Sequence, residues 1–295
     1  MIGVDFGGTH IKAGIVGEDG TLVRSTLIDT NAGAPPDPMF DAIAEVVRSL
    51  EDKPSSVGLA IPGEVDPDGR CWRLPNVPGF EGVRIADELS KRLDCPVVVE
   101  NDATTAALGE LLFGHGKKHP SFLLVTLGTG IGGGLAIAGR LRRGAHGFAG
   151  EIGHLRIDTS DGAWPCGCGK HGCMEAYAGT QGLLRRYAEL GHSADSIHPI
   201  ADAAHGGEAA ARDVFGDMGL ALGRGLSLIQ NVLDLDALVF SGGISASFDL
   251  IEPSLRSELA ARVFAPPLAT VPLLVSEVGE HAGVIGAAHL PVTDR

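Results

Sequence analysis

Histidine, cysteine and carboxylate side chains gather in one stretch of the chain, residues 151–175. In order, they are Glu151, His154, Cys166, Cys168, Cys173 and Glu175. One histidine and three cysteines can supply four ligands to a tetrahedral zinc ion, which prefers imidazole nitrogen and thiolate sulfur. Disulfide bonds, or cysteines without a joint role, are the alternatives. Three cysteines within eight residues, in a chain that has only five, favour zinc.

Glycine-rich turns occur twice, each between two strand-like runs. Residues 2–6 lead into Gly7-Gly8-Thr9 and a returning strand at 11–16, and residues 122–127 lead into a turn at 128–133 and a strand at 134–138. The N–H groups of such turns can converge on phosphate oxygens, because no Cβ blocks the approach. The repeat predicts two similar α/β domains that face each other across a cleft and hold a polyphosphate.

Two acidic positions lie where strands end. Asp5 directly precedes the first glycine turn and could hold Mg²⁺ through its water shell, or simply stabilise the turn. Glu100-Asn101-Asp102 lies between a strand at 97–100 and a helix at 102–113. Asn and Asp are preferred as helix caps, yet a carboxylate there could also accept the proton of an attacking hydroxyl.

The elements that must position these groups follow from hydrophobic periodicity. Helices are predicted at 37–50, 85–93 and 209–233, and buried strands at 56–61 and 237–241. The long helix contains four glycines at 216, 219, 223 and 225, which predicts close helix packing there. We expect an N-terminal domain of residues 1–115 plus 282–295, and a second domain of residues 116–281 that contains the zinc loop.

Composition narrows the class of protein. The chain has 295 residues, 44% of them hydrophobic, and a net charge of −14. An acidic chain argues against nucleic acid as a partner, because phosphate backbones are bound by clustered Lys and Arg. No apolar run approaches the ~20 residues that span a bilayer, and residues 1–6 do not resemble a signal peptide. We therefore expect a cytoplasmic protein with no membrane partner.

Seven motifs together resemble those of one family. They occur in the order Asp5-Phe-Gly-Gly-Thr9, Pro62-Gly-Glu-Val65, Glu100-Asn-Asp102, Leu127-Gly-Thr-Gly-Ile-Gly-Gly133, Glu151-Ile-Gly-His154, the cysteine run to Glu175, and Ser241-Gly-Gly243. The chain is similar to the ROK family of bacterial sugar kinases, repressors and open reading frames, within the actin/Hsp70/hexokinase superfamily. The resemblance implies an α/β fold with two similar ribonuclease-H-like (actin-like ATPase) domains around a cleft and a zinc-binding loop in the second.

The resemblance also implies an activity and the residues that carry it. The γ-phosphoryl group of ATP would pass to the 6-hydroxyl of a hexose, with Asp102 as the general base and Asp5 positioning Mg²⁺. The remaining nucleotide-binding residues would be Gly7, Gly8, Thr9, Lys12, Thr129, Gly130, Gly242 and Gly243. The sugar would be bound by Gly63, Asn76, Asn101, Asp102, Glu151, His154 and Glu175. A structural zinc would be bound by His154, Cys166, Cys168 and Cys173, with His154 also touching the sugar.

Three other functions are alternatives to an ATP-dependent sugar kinase. A sugar-binding repressor of the same family would need a helix-turn-helix domain before the first glycine turn, and here that turn follows residue 5. Polyphosphate-using relatives generally lack the cysteine loop, and a non-catalytic sugar-binding protein would not need Asp102. Among sugars we expect glucose first and N-acetylglucosamine second, followed by fructose and N-acetylmannosamine.

Two further expectations come from the family. Its members usually have a serine four residues after the glutamate matched by Glu175, whereas this chain has Gly179. That departure affects the sugar pocket and leaves the role of Asp102 intact. The family also suggests a homodimer or a dimer of dimers.

Overall fold

The computed structural model of the protein describes residues 1–75 and 77–293. The chain divides into two compact units. Unit 1 contains residues 1–124 and 134–150 and the described residues from 276 onward, and unit 2 contains residues 125–133 and 151–275. The fold is mixed α/β with two five-stranded sheets, which confirms the predicted class.

The first sheet and its helices account for residues 2–113. In chain order the elements are β1 (Ile2–Phe6), β2 (His10–Val16), β3 (Leu22–Asp29), α1 (Pro36–Leu50), β4 (Val57–Ile61), β5 (Glu64–Val65), β6 (Cys71–Arg73), α2 (Ile85–Leu93), β7 (Val97–Asn101) and α3 (Asp102–Phe113). The strand order is β3-β2-β1-β4-β7. Strands β1, β4 and β7 run parallel to one another, so their carboxyl ends meet at one edge of the sheet.

Local sequence explains these elements. Strand β4 is buried along its whole length and is uniformly apolar or glycine, as expected for a strand covered on both faces. Helix α1 buries Phe40, Ile43 and Val47, which are spaced three and four residues apart as predicted. Phe40 packs edge-on against Phe80, with the ring centroids 5.4 Å apart.

The rest of the chain forms a second sheet and most of the helices. These elements are β8 (Phe122–Leu127), β9 (Ile131–Ile137), β10 (Arg140–Leu141), α4 (Met174–Ala178), α5 (Thr180–Glu189), α6 (Ile197–His205), α7 (Ala209–Leu233), β11 (Ala237–Ser241), α8 (Phe248–Arg262), α9 (Pro266–Ala269), β12 (Leu273–Val275) and α10 (Ala282–His289). The strand order is β10-β9-β8-β11-β12.

The second glycine turn is shorter than the sequence predicted. Strand β9 begins at Ile131, so Gly132 and Gly133 belong to the strand and not to the turn. The reason is local, since the buried side chain of Ile131 anchors the strand and the N–H of Gly132 donates to Thr126 Oγ1 at 3.1 Å.

The glycines of α7 confirm close helix packing at most positions. A Cβ at Gly219 would lie 2.5 Å from the carbonyl oxygen of Ile251 in α8, and one at Gly223 would lie 2.7 Å from Glu258 Cβ. A Cβ at Gly225 would lie 2.4 Å from the sulfur of Met174 in α4. Gly216 differs, because a Cβ there would meet no atom of the described residues within 4 Å. The packing explanation therefore fails at that one position.

Residues 1–75 and 77–293 contain no helix whose length and apolar character would suit a passage through a membrane.

Candidate active site and metal centre

The predicted zinc ligands come together in unit 2. One donor atom from each of His154, Cys166, Cys168 and Cys173 lies within 4.8 Å of the other three. Cys166 Sγ lies 3.7 Å from His154 Nδ1, and Cys168 Sγ lies 3.7 Å from Cys173 Sγ. Tetrahedral zinc with Zn–S bonds of about 2.3 Å holds its sulfur ligands about 3.8 Å apart, so these residues fit the ion.

The same distances exclude disulfides in the cluster. A disulfide requires sulfur atoms about 2.05 Å apart, and all five cysteines are free thiols. Burial raises the pKa of the Cys166 thiol to about 12, so a bound metal must displace a proton from it.

A short 3₁₀ turn, Ile152–His154, orients the histidine. With Nδ1 on the cysteine side, the other ring nitrogen faces a carboxylate, since His154 Nε2 lies 3.8 Å from Glu151 Oε2. A carboxylate beside the free nitrogen of a metal-binding histidine fixes the ring orientation.

Glu175 connects the cysteine loop to the second glycine turn. Its Oε2 accepts a hydrogen bond from the N–H of Ile131 at 3.1 Å, and its Oε1 lies 3.6 Å from Cys166 Sγ. The structure also accounts for Gly179. A Cβ there would lie 2.9 Å from the Glu175 carbonyl oxygen and 3.0 Å from the Thr129 carbonyl oxygen, so a serine would not fit without a backbone shift.

The other predicted nucleotide-binding residues of unit 2 lie near the end of β8. Thr180 anchors the turn, because its hydroxyl donates to the Gly128 carbonyl at 2.9 Å, and Thr129 is exposed. Gly242 has a φ of +88°, and a Cβ there would lie 2.4 Å from the Leu127 carbonyl oxygen. Only glycine adopts this φ without strain and leaves room for the Leu127 carbonyl oxygen. Gly242 therefore lies against the end of β8, the strand that leads into the second glycine turn.

In unit 1 the first glycine turn is closed by backbone and hydroxyl hydrogen bonds. The N–H of Gly7 donates to the His10 carbonyl at 2.9 Å, and Thr30 Oγ1 donates to the Gly7 carbonyl at 2.7 Å. Thr9 is exposed at the tip.

Asp5 lies on β1 opposite Lys12 of β2. Burial raises the pKa of the Asp5 carboxyl, and the charge of Lys12 works in the opposite direction. A Cβ at Gly283, in the first turn of α10, would lie 2.7 Å from Asp5 Oδ2. Gly283 was not among the predicted site residues, because a glycine inside a helix is by itself a weak signal.

Asp102 opens α3 in a fixed position. Its Oδ1 accepts hydrogen bonds from the N–H of Ala103 at 2.7 Å and from Asn101 Nδ2 at 3.1 Å. Asn101 also donates to the Gly63 carbonyl at 3.2 Å, and its own Oδ1 accepts from the N–H of Thr104 and caps the helix. Because β1, β4 and β7 run parallel, Asn101 and Asp102 lie at the same edge of the sheet as the carboxyl end of β1. The positive end of α3 favours a negative charge at Asp102.

An ion pair at Glu100, two residues before Asp102, was not predicted. Glu100 is buried and forms an ion pair with Arg143, and its other oxygen accepts from the N–H of Asn101 at 2.9 Å. The two residues are far apart in sequence, so no local pattern signalled the pair.

The predicted site residues therefore fall into two groups, described within their own units. Unit 1 contains Asp5, Gly7, Gly8, Thr9, Lys12, Gly63, Asn101 and Asp102. Unit 2 contains Thr129, Gly130, Glu151, His154, Glu175, Gly242, Gly243 and the three cysteines. Asn76 lies outside the described residues.

The ROK family model matches residues 1–293. The chain belongs to the ROK family. It is 31% identical to a glucokinase of Thermotoga maritima, over 98% of this chain and 96% of that one. It is 33% identical to an N-acetyl-D-glucosamine kinase of Shigella flexneri, over 99% of each.

Solved ROK structures share the fold. A crystal structure of a ROK family glucokinase from Streptomyces griseus, in complex with glucose and AMPPNP, matches with a TM-score of 0.85 and 34% identity over 98% of both chains. Membership of the ROK family confirms the resemblance that the sequence motifs indicated.

Proposed function

We propose that this ROK chain is an ATP-dependent sugar kinase that phosphorylates the 6-hydroxyl of a hexose, glucose being the first choice. The observation that carries the proposal is the placement of Asp102. This carboxylate is fixed at the start of α3 by two hydrogen bonds, at the sheet edge where the glycine turn after Asp5 also begins. The similarity to glucokinases and to an N-acetyl-D-glucosamine kinase supports the class of reaction.

Asp102 acts as the general base in this proposal. Anchoring Oδ1 to Ala103 and Asn101 fixes the direction of the carboxylate, so that it accepts the hydroxyl proton as the oxygen attacks the γ-phosphorus. Because phosphoryl transfer requires little covalent chemistry from the protein, positioning of the two reactants accounts for most of the catalysis.

The nucleotide is ATP with Mg²⁺. AMPPNP, which is bound in the glucokinase of S. griseus, is an ATP analogue, and that supports the donor. We assign the phosphates to the glycine turns, including Gly7, Gly8, Thr9 and Lys12 in unit 1 and Thr129 and Gly130 in unit 2. Asp5 would hold Mg²⁺, and Gly242 and Gly243 would line the base and ribose.

The sugar hydroxyls are assigned to Gly63, Asn101 and Asp102 in unit 1, and to Glu151, His154 and Glu175 in unit 2. Zinc, bound by His154 and the three cysteines, supplies structural rigidity to the loop when it is present. The chain itself contributes the Glu175 contact to Ile131, which fixes the carboxylate relative to the second glycine turn.

The direct test is sugar-dependent ADP formation from ATP and Mg²⁺ by the purified protein. Glucose, N-acetylglucosamine, N-acetylmannosamine, mannose and fructose are compared by kcat/KM, and we expect glucose to be preferred. Preference for an N-acetyl sugar would keep the mechanism and change the substrate.

Asp102→Asn should retain sugar binding and lose ~10²-fold or more in kcat, because the base is removed. Asp87→Asn is the matched control, since Asp87 is an exposed aspartate in the first turn of a different helix, α2, and is not one of the predicted site residues. Near-normal turnover by Asp102→Asn would refute the role of the base. Sugar binding by the wild-type protein without turnover would favour a regulator over an enzyme.

A further inference from the structure

Unit 2 contains a cavity of about 470 Å³ that the proposed kinase site does not use. Among the described residues that line it, the charged ones are all arginines, namely Arg156, Arg224 and Arg262. The protein as a whole has 37 acidic and 23 basic residues, so this cavity, called here the arginine cavity, opposes the overall charge. A local positive field in an acidic protein attracts anions.

Three segments build the arginine cavity. Arg156 comes from the chain just after the Ile152–His154 turn, Arg224 from α7 and Arg262 from the end of α8. An apolar wall of Ile157, Leu228 and Ala261 completes the lining, with the buried Ser227. The first segment is tied to the cysteine loop, because the N–H of Ile157 donates to the Gly172 carbonyl at 2.8 Å.

Two of the three arginines share a single carboxylate. Arg262 Nε and Arg224 Nε both donate to Glu258 Oε1, at 2.6 Å and 3.2 Å. Burial disfavours ionisation of Glu258, but the two hydrogen bonds and the charges of Arg262 and Arg224 together outweigh it and lower the pKa of the carboxyl. The charge of the Asp158 carboxylate also acts on Arg224, so two negative charges lie near the three guanidinium groups.

Among residues 1–75 and 77–293, Arg156 forms no ion pair with a carboxylate. It is exposed, and its Nε donates to the backbone carbonyl of Asp158 at 3.4 Å. The Asp158 carboxylate accepts hydrogen bonds from the Tyr177 hydroxyl at 2.5 Å and the N–H of Ser160 at 2.9 Å, and its charge acts on Arg224 without forming an ion pair with Arg156. In the part of the chain that the structure describes, no ion pair to Arg156 occurs within 4.0 Å. The lining therefore has an excess of positive charge.

We propose that the arginine cavity binds the phosphate group of a small phosphate monoester. Guanidinium groups bind phosphate oxygens through paired N–H donors, and several of them around one cavity match a dianion better than a monoanion. The apolar wall offers a surface for the organic part of an ester. Free phosphate offers the same chemistry without that part. The site shares no residue with the proposed kinase site, so the proposal stands independently of that function.

The test is calorimetric titration of the zinc-loaded, full-length protein with inorganic phosphate and, separately, with glucose 6-phosphate. We expect saturable binding that Arg156→Gln weakens ~10-fold or more, as loss of a charge-assisted pair predicts. Arg156→Lys keeps the positive charge but loses the paired N–H donors of the guanidinium group, so its phosphate affinity should lie between those of the wild type and Arg156→Gln. Arg24→Gln is the matched control, because Arg24 is an exposed arginine on β3, and it should bind like the wild type.

The two ligands separate the sources of the phosphate group. Tighter binding of glucose 6-phosphate would support an ester that uses the apolar wall, and equal binding would support free phosphate. The proposal is overturned if neither ligand saturates the wild-type protein. It is also overturned if Arg156→Gln, with its zinc content unchanged, binds both as well as the wild type, since phosphate at the glycine turns would not depend on Arg156.

Discussion

Glu100 and Arg143 form an ion pair next to the residues assigned to catalysis, and its energetics depend on burial. Glu100 has 8% of its surface exposed, and the segment that supplies Arg143 closes on itself because the N–H of Ala149 donates to the Arg143 carbonyl at 2.9 Å. Removing one partner of a buried pair leaves an uncompensated charge, which costs more than removing both. The ion pair therefore stabilises the carboxyl end of β7, where Glu100 precedes Asn101.

Arg143→Met should destabilise the protein by about 3 kcal/mol, because Glu100 would remain buried without its partner. The double variant with Glu100→Gln should recover part of that loss. Chemical denaturation of the two variants and the wild type measures both effects. If the single variant unfolded at the wild-type denaturant concentration, the pair would have no structural role.

Asp5 gives a pH-dependent prediction. Its pKa is raised above the ordinary value of 3.8 by burial. Stability is therefore lost as the pH rises from 3.8 through the folded-state pKa, because the unfolded chain releases the proton more easily. Asp5→Asn should have a higher Tm than the wild type at pH 7, and the difference should shrink as the pH falls towards 4.

The control for Asp5 has the opposite sign. Asp19 is exposed, and hydrogen bonds from Thr21 lower the pKa of its carboxyl. Asp19→Asn should therefore bring no gain in Tm at pH 7. The Tm of each protein is measured over a series of pH values. A Tm difference between the wild type and Asp5→Asn that does not change with pH would contradict the raised pKa of Asp5 as its cause.

Helix α7 shows how packing decides the effect of one residue type within one element. Gly216 and Gly219 lie one turn apart on the same helix. At Gly216 the space for a Cβ is open, whereas at Gly219 a Cβ would lie 2.0 Å from Ser254 Oγ and 2.5 Å from the Ile251 carbonyl. Helix propensity is equal at both positions, so any difference between them comes from α8.

Gly216→Ala should stabilise the protein by ~1 kcal/mol, the difference in helix propensity between the two residues. Gly219→Ala should instead destabilise it, because α8 must move away from α7 to admit the methyl group. Each variant serves as the control of the other in the same denaturation experiment. Equal effects of the two substitutions would show that α8 does not pack as described.

Each of the two compact units is stabilised in its own way. Unit 1 is built on the parallel strands β1, β4 and β7 and on the packing of α10, whereas unit 2 also contains the cysteine loop. Cross-linking by a metal adds to the stability of the part that contains its ligands. Loss of zinc should therefore affect the two units unequally.

Cys168→Ser should lose zinc and accelerate amide hydrogen exchange in the cysteine loop and α4, with little change in the first sheet. Cys95→Ser is the matched control, because Cys95 is a free thiol outside the cluster. Elemental analysis gives the metal content and mass spectrometry gives the exchange. A wild-type protein without zinc that showed full protection would contradict a structural role for the metal.

Local signals predicted the elements whose ends are set by neighbouring residues. Helix α3 begins and ends where the sequence indicated. Its start is set locally, because Oδ1 of the cap residue Asn101 accepts a hydrogen bond from the N–H of Thr104, three residues further along. The start of β9 was predicted three residues too late, since glycines in a row are compatible with both turn and strand. The cluster of His154 and the three cysteines was predicted because the spacing of these residues is itself the signal. Their assigned roles towards a sugar, like the domain boundaries, stay predictions.

Motifs and spacings within short segments were enough to indicate the family, the α/β class and the four side chains of the His/Cys cluster, because none of these depends on distant contacts. Which distant residues meet follows only from how the chain folds. Glu100 meets Arg143, Asp5 meets Gly283, and Arg156 reaches the same cavity as Arg224 and Arg262. Such contacts depend on how strands and helices pack, and side chains far apart along a chain leave no periodic trace of the contact they will make.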